Sequence, residues 1–385
     1  MGALGNLWDK VVAGGVADLR RMPRTEIARD PGGVLYRYDD PETKLAESTI
    51  GTQTELAEST IGTQTELAES TIGTQTGLAE SAIGTATGPA VLLVPPLGAP
   101  DFAYDLRRGG SLVEHLLAAG RTVYLVDYGP MAFGQRKLGV EHWVDRVVPR
   151  VTRMVAEREG PVHLVGWSLG GLFALLATAA AAQAGDRLPV RTVTAIASPV
   201  DISAVPLVAP LRPLAEVAGG RAVSAVYRAA GSFPAPVVSW AFHLTTVDRL
   251  VTKPLVVASR LGDRDTLAQI EAVDHFMRHM HGYPGRAFGQ LFHLLLRSND
   301  LASGELALGG RQISLAAVDV PALVVAGEDD VIAPMASVRH TVELLAGSPE
   351  ARFESAPGGH LGVLTGRRAR TTTWPALDRF LDDHR

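Results

Sequence analysis

PVHLVGWSLGGLFALLATAA, residues 161–180, decides how this chain is read. From Pro161 to Trp167 the run is apolar except for His163, and it is too short for a helix, so it reads as a buried strand. GLFALLATAAAAQAG, from Gly171, is rich in Ala and Leu and reads as a strong helix. Between them, Gly166-Trp167-Ser168-Leu169-Gly170 fits G-x-S-x-G. Gly and Ser are common, so the pattern alone is weak; the strand before it and the helix after it make it specific. Small residues permit a sharp strand-to-helix turn that presents Ser168 Oγ beside a helix N-terminus, where developing negative charge is favoured. Ser168 is the candidate nucleophile and the Leu169 N–H a candidate oxyanion donor.

Working outward, the same rhythm recurs. GVLYRYDD from Gly33, PAVLLV ending at Val94, TVYLVDYG from Thr122, VRTVTAIASP from Val190 and PALVVAG from Pro321 read as strands, with ARFESAPGG from Ala351 a weaker one. SLVEHLLAAG from Ser111, EHWVDRVVPRVTRMVAEREG from Glu141 and a closing WPALDRFLDDH read as helices, the last with Pro375 in its first turn. Apolar strands alternating with helices imply a mostly parallel sheet covered on both faces. The rhythm breaks between about Asp201 and Ser298, a region of helical composition that reads as a lid at the sheet's C-terminal edge, where ligands bind. The expected architecture is an α/β-hydrolase fold with an inserted, mainly helical lid. The expected divisions are 1–44 (N-terminal helix and first strand), 45–88 (repeats), 89–200 (first part of the core), 201–300 (lid) and 301–385 (second part of the core).

A serine nucleophile needs a base, and the base an orienting acid, which in this fold follow the serine in the order acid, then histidine. His360, in APGGHLG near the C-terminus, is the candidate base; His340 and His384 are the other late histidines. The acid lies among Glu328, Asp329 and Asp330, after the strand PALVVAG, and spacing alone leaves all three open. Asp127 precedes the serine and reads as structural. The second oxyanion donor belongs to the loop Pro95-Pro96-Leu97-Gly98-Ala99; proline has no N–H, so Leu97 or Gly98 supplies it.

Residues 45–88 hold four copies of an 11-residue unit beginning LAESTIG or LAESAIG, read as a surface insertion from a duplication. The repeat carries six glutamates and no basic residue, so the chain's formal charge of −5 belongs to the insertion and the rest is close to neutral. No basic cluster alternates with aromatics, which excludes a general nucleic-acid binder. The chain has no cysteine, hence no disulfide, thiolate zinc site or thiol nucleophile. Asp9, Lys10 and Asp18 interrupt the apolar residues of the N-terminus, so no signal peptide is read there, and no run is long enough to span a membrane. The expected compartment is the cytoplasm. Leu4, Leu7, Trp8, Val11 and Val12 suit a weakly amphipathic helix that packs on the body, with a granule or lipid contact as the alternative. His275 and His279 could share a helix face, but Phe276 stands where the zinc-protease pattern needs Glu, so no metal is expected. GWSLGG lacks the P-loop Lys and the dinucleotide spacing, so no cofactor is expected either. Oligomeric state is left open.

Taken together, LLVPPLGAPDFAYDLRRGGSLVEHLLAAGRTVYLVDYG, GWSLGG, RSNDLASGELALGGRQISL, PALVVAGEDDVIAP and GGHLG resemble the polyhydroxyalkanoate synthase-like branch of α/β-hydrolases, especially the shorter synthases. The resemblance spans about residues 33–385 apart from the repeat. Its Asp-x-Ile-x-Pro pattern matches Asp330-Val331-Ile332-Ala333-Pro334 and selects Asp330 as the acid; its base matches His360 and its nucleophile position Ser168. The chain departs from the family there, since synthases carry cysteine, accept an acyl group from a CoA thioester and pass it to a growing polymer. A serine ester is less activated for onward transfer. The expectation is therefore a serine hydrolase acting on an ester or thioester of an apolar or hydroxyacyl acid. Acyl transfer from hydroxyacyl-CoA is one alternative, and a non-catalytic protein of granule or lipid surfaces another. Some short synthases also need a partner subunit, which the sequence does not reveal.

Overall fold

The computed structural model describes residues 15–39, 88–201 and 257–385, with isolated positions at 5, 203, 205, 232 and 233. The N-terminal helix and the repeat expected from the sequence lie outside the described residues, as does much of the lid.

Eight strands form one sheet in the order β1-β2-β4-β3-β5-β6-β11-β12. They are β1 (Arg24–Asp30), β2 (Gly33–Tyr38), β3 (Val91–Val94), β4 (Val123–Asp127), β5 (Val162–Trp167), β6 (Val190–Ile196), β11 (Ala322–Gly327) and β12 (Ala351–Ala356). β1 and β2 pair antiparallel, β2 runs antiparallel to β4, and the rest are parallel. Every residue of β3, β5 and β11 is buried, as near-continuous apolar strands covered on both faces require. Helices α1 (Leu112–Ala118), α2 (Val148–Glu159), α3 (Leu169–Gln183), α6 (Met335–Leu344) and α7 (Thr373–Asp383) flank the sheet. The chain has an α/β-hydrolase fold.

Several elements differ from the sequence reading. The strand at Gly33 is the second of a hairpin; β1 precedes it, a polar edge strand with no buried residue. The helix expected from Glu141 begins with the turn Val140–His142, passes through a π-helical turn at Trp143–Val147, and continues as α2. Pro149 has no N–H to return to an earlier carbonyl, which accounts for a loosened turn just before it. Among its described residues the lid region holds the helices α4 (Arg264–Arg278) and α5 (Gly285–Leu291), followed by a second π-helical turn at Phe292–Arg297. It also contains a two-residue strand pair, β7 (Ser232–Phe233) and β8 (Tyr283–Pro284). A hairpin, β9 (Glu305–Leu308) and β10 (Arg311–Ser314), precedes β11. Its turn residues Gly309 and Gly310 have φ of 60° and 82°, the left-handed pair of a tight two-residue turn. β6 and β11 are direct neighbours, so the region between them leaves and re-enters the sheet between adjacent strands.

Ser168 follows β5 at the C-terminal edge of the parallel strands. Because β2 is antiparallel, with Arg37 opposite Tyr124 and Val34 opposite Asp127, its end lies at the opposite edge, where β3 begins. The connection through 45–88 is therefore attached at both ends away from Ser168.

Candidate active site

Ser168 has φ 56° and ψ −125°, a conformation that a non-glycine residue holds only when its surroundings dictate it. The neighbouring glycines explain how so tight a turn fits. A Cβ at Gly170 would overlap the Val94 carbonyl oxygen, and one at Gly166 would overlap the backbone of Gly170 and Gly171. The turn is tied on its other side: Ser168 N–H donates to Ile196 O at 2.8 Å, and the Ser198 hydroxyl donates to Ser168 O at 2.8 Å.

His360 sits in the loop after β12, with Nε2 at 2.9 Å from Ser168 Oγ and Nδ1 at 2.8 Å from Asp330 Oδ2. Asp330, after β11, has its other oxygen, Oδ1, accepting from Ile332 N–H and Ala333 N–H, both at 2.8 Å. All three residues are buried. The ring of His360 is fixed from a further side, since its carbonyl accepts from Trp167 Nε1–H at 3.0 Å and the two rings lie 5.2 Å apart.

The structure thus brings Ser168, His360 and Asp330 into one hydrogen-bonded chain and leaves the other candidates elsewhere. Glu328 and Asp329 are exposed. Asp127 accepts from Gly129 N–H at 2.9 Å, and burial raises its pKa. His340 bonds to Glu343 and the Ala302 carbonyl, and His384 to the Phe380 carbonyl.

Leu169 opens the 15-residue helix α3, so its N–H faces outward from a helix N-terminus. In the loop after β3, Ala99 N–H is used on the Pro96 carbonyl at 3.3 Å, in a turn whose third residue, Gly98, has φ 79°. Leu97 and Gly98 remain the turn's candidate donors. Gly98 O accepts from His281 N–H at 2.8 Å, and a Cβ at Gly98 would overlap the Tyr283 ring, so the lid region presses on this loop.

Sequence reading missed Trp167, Ser198 and Tyr283 as supports of the site, because each acts through a contact between segments distant in sequence. Among the described residues, no group of three or more His, Asp or Glu side chains is arranged to hold a metal. The His275 and His279 rings lie tilted against each other, at 4.1 Å between centroids, and Phe102 packs tilted against His275 and edge-on to His279. No helix among the described residues is long and apolar enough to cross a membrane.

No family model matches the chain. It is similar to the poly(3-hydroxyalkanoate) polymerase subunit PhaC of Allochromatium vinosum, with 24% identity over 297 residues, covering 76% of this chain and 80% of the relative. The Synechocystis polymerase subunit PhaC is 25% identical over 76% of this chain and 77% of its own length. The Haloferax mediterranei subunit is 23% identical over 74% of this chain and 57% of its own length. Among solved structures, a Paleococcus ferrophilus monoacylglycerol lipase aligns with a TM-score of 0.46 and 18% identity, covering 77% of this chain and 97% of that one. An enol-lactonase from Burkholderia xenovorans aligns at 0.41 and 17% identity, covering 77% and 92%.

Proposed function

We propose that the chain hydrolyses an ester or thioester of an apolar or hydroxyacyl acid through a serine acyl-enzyme. The observation that carries the reading is the relay Ser168 Oγ–His360 Nε2–Asp330 at 2.9 and 2.8 Å. These distances are within reach for proton transfer, and the acid is positioned to hold the imidazole with its proton on Nδ1. Ser168 Oγ attacks the carbonyl carbon as its proton passes to His360 Nε2. The oxyanion is received by Leu169 N–H and by the N–H of Leu97 or Gly98. Collapse expels the alcohol or thiol, which takes the proton from His360. Water then gives a proton to the same nitrogen, attacks the acyl carbonyl, and releases the acid with Ser168 restored.

A cleft lined by Leu169, Leu172, Phe173, Leu176, Leu291 and Leu294, without polar lining, supports an apolar acyl part. It runs along one face of α3, the helix that Leu169 opens after Ser168, and Ser168 itself does not line it. The cleft is narrow, with room for about one water, so an acyl chain enters only as Leu291 and Leu294 move aside.

Acyl transfer from a hydroxyacyl-CoA is the second reading, and the likeness to three polymerase subunits favours it. Intact-mass analysis after exposure to acyl-CoAs and esters tests both. An adduct on Ser168 that decays to free acid in equal amount to released thiol supports hydrolysis, whereas acyl retained on an acceptor or polymer supports transfer. Absence of covalent labelling by a fluorophosphonate would leave a non-catalytic surface protein as the better account.

A further inference from the structure

The parallel ladder between β3 and β5 ends at a rung with an added member. His163 N–H donates to Ala90 O at 2.9 Å, and the two-residue step of the ladder makes Val94 O and Trp167 N–H its final acceptor and donor. The Tyr104 hydroxyl lies at that rung. It donates to Val94 O at 2.7 Å and accepts from Trp167 N–H at 2.9 Å.

Each partner stands immediately before a segment of the site. After Val94 comes Pro95, which cannot continue the ladder, and then the turn holding Leu97 and Gly98. After Trp167 comes Ser168 and then Leu169. The hydroxyl therefore meets both backbones at the points where the two candidate oxyanion segments leave the sheet. The Val94 carbonyl is enclosed on another side by Gly170, where no Cβ fits. Tyr104 is itself held: its carbonyl accepts from Leu112 N–H at 2.9 Å and Val113 N–H at 3.3 Å, at the start of α1. The side chain is fully buried, and burial raises its pKa well above the ordinary tyrosine value, so the hydroxyl keeps its proton for Val94 O.

We infer that Tyr104 is a positioning residue, whose hydroxyl sets the spacing between the Leu169 N–H and the N–H donor of the Leu97–Gly98 turn. The inference rests on the serine-hydrolase reading of the same site. It predicts an effect on stabilisation of the oxyanion rather than on substrate capture, because Tyr104 is buried behind the donors.

Tyr104→Phe removes only the hydroxyl and keeps the ring that fills the core, so the variant folds and can be assayed as the full chain. The expected result is a fall in kcat of about tenfold or more, a fraction of the roughly 10²–10³ attached to losing one donor outright. KM should stay within about twofold, and affinity for a phenylboronic acid, whose tetrahedral adduct places an oxygen between the donors, should weaken in parallel with kcat. Wild-type kcat and boronate affinity in the variant, with only a lower thermal midpoint, would overturn the inference and leave Tyr104 a core residue. A rise in KM at constant kcat would overturn it too. The parent reading is judged separately: if fluorophosphonate labelling of the wild-type chain is absent, or persists in Ser168→Ala, the serine mechanism fails and this inference goes with it.

Discussion

Asp330→Asn is the sharpest test of the relay, because the structure dictates which way the new amide must face. Asp330 Oδ1 accepts from Ile332 N–H and Ala333 N–H, so in the variant the amide carbonyl is held at that position. Turning the amide over would break both bonds and set an NH₂ group against two donors, a cost of several kcal/mol at a buried site, taking about 1–3 kcal/mol for each unsatisfied group. The NH₂ therefore occupies the place of Oδ2, 2.8 Å from His360 Nδ1, and donates to it. The imidazole must then present its lone pair at Nδ1 and its proton at Nε2, which faces Ser168 Oγ at 2.9 Å. A nitrogen that donates to the serine cannot take the serine's proton. The expected loss in kcat is about 10⁴-fold, equivalent to about 5.5 kcal/mol, the scale of the same wrong-tautomer substitution in a serine protease. The assay is single-turnover acylation with a chromogenic ester, beside thermal unfolding to verify the fold. A variant within about tenfold of wild type, while His360→Ala is inactive, would refute the tautomer argument and with it the role assigned to Asp330.

Three further outcomes follow from the geometry. His163 is fully buried, and its pKa is lowered from 6.5 to about 3 by burial first and then by the charges of Arg121, Arg191 and His384, against the opposing Asp382. The folded chain favours the neutral ring, so this contribution is complete above about pH 6.5 and falls as pH drops towards 3, by about 1.4 kcal/mol per unit. Urea unfolding of wild type and His163→Leu should show the acid slope reduced by that amount in the variant, and identical slopes would sink the assignment. Leu172→Ala widens the narrow apolar cleft along α3, so kcat/KM for long acyl esters should rise relative to acetyl esters, by up to about fourfold for each methylene admitted; an unchanged chain-length profile argues against an acyl site there. Deleting 45–88 should leave kcat/KM within about twofold. β2 and β3 are separated by β4 alone, about 10 Å, a gap that the remaining residues 40–44 span easily. The shorter connection should raise stability by about 1–2 kcal/mol through loop closure, and a large loss of activity would place the repeat in contact with the site.

The parts of the fold that sequence made legible are those governed by local pattern. The buried strands β3, β5 and β11 are unbroken apolar runs, and β2, β4, β6 and β12 carry enough apolar character to be read. β1 escaped because an edge strand with no buried residue has no pattern to impose. The β9–β10 hairpin carried a readable signal, Gly309-Gly310 between two short alternating runs, but four-residue strands fall at the limit of periodicity. Chain order and flanking glycines single out Ser168, His360 and the acidic loop as candidates, whereas a family pattern selects Asp330 over Glu328 and Asp329. Burial and the paired Ile332 and Ala333 amides give that choice a physical basis which spacing lacks. Tyr104 could not be found from sequence at all, since nothing in its neighbourhood marks a hydroxyl that meets two strands.

The attachment of the connection between β2 and β3 has a practical meaning. Both of its junctions sit on the face of the molecule turned away from Ser168. An affinity handle, a fluorophore or a second protein spliced there would leave the mouth of the site unobstructed, and a chain tethered to a bead by that point would present its chemistry to bulk solvent. The four nearly identical units are thus joined to the body at two points remote from Ser168.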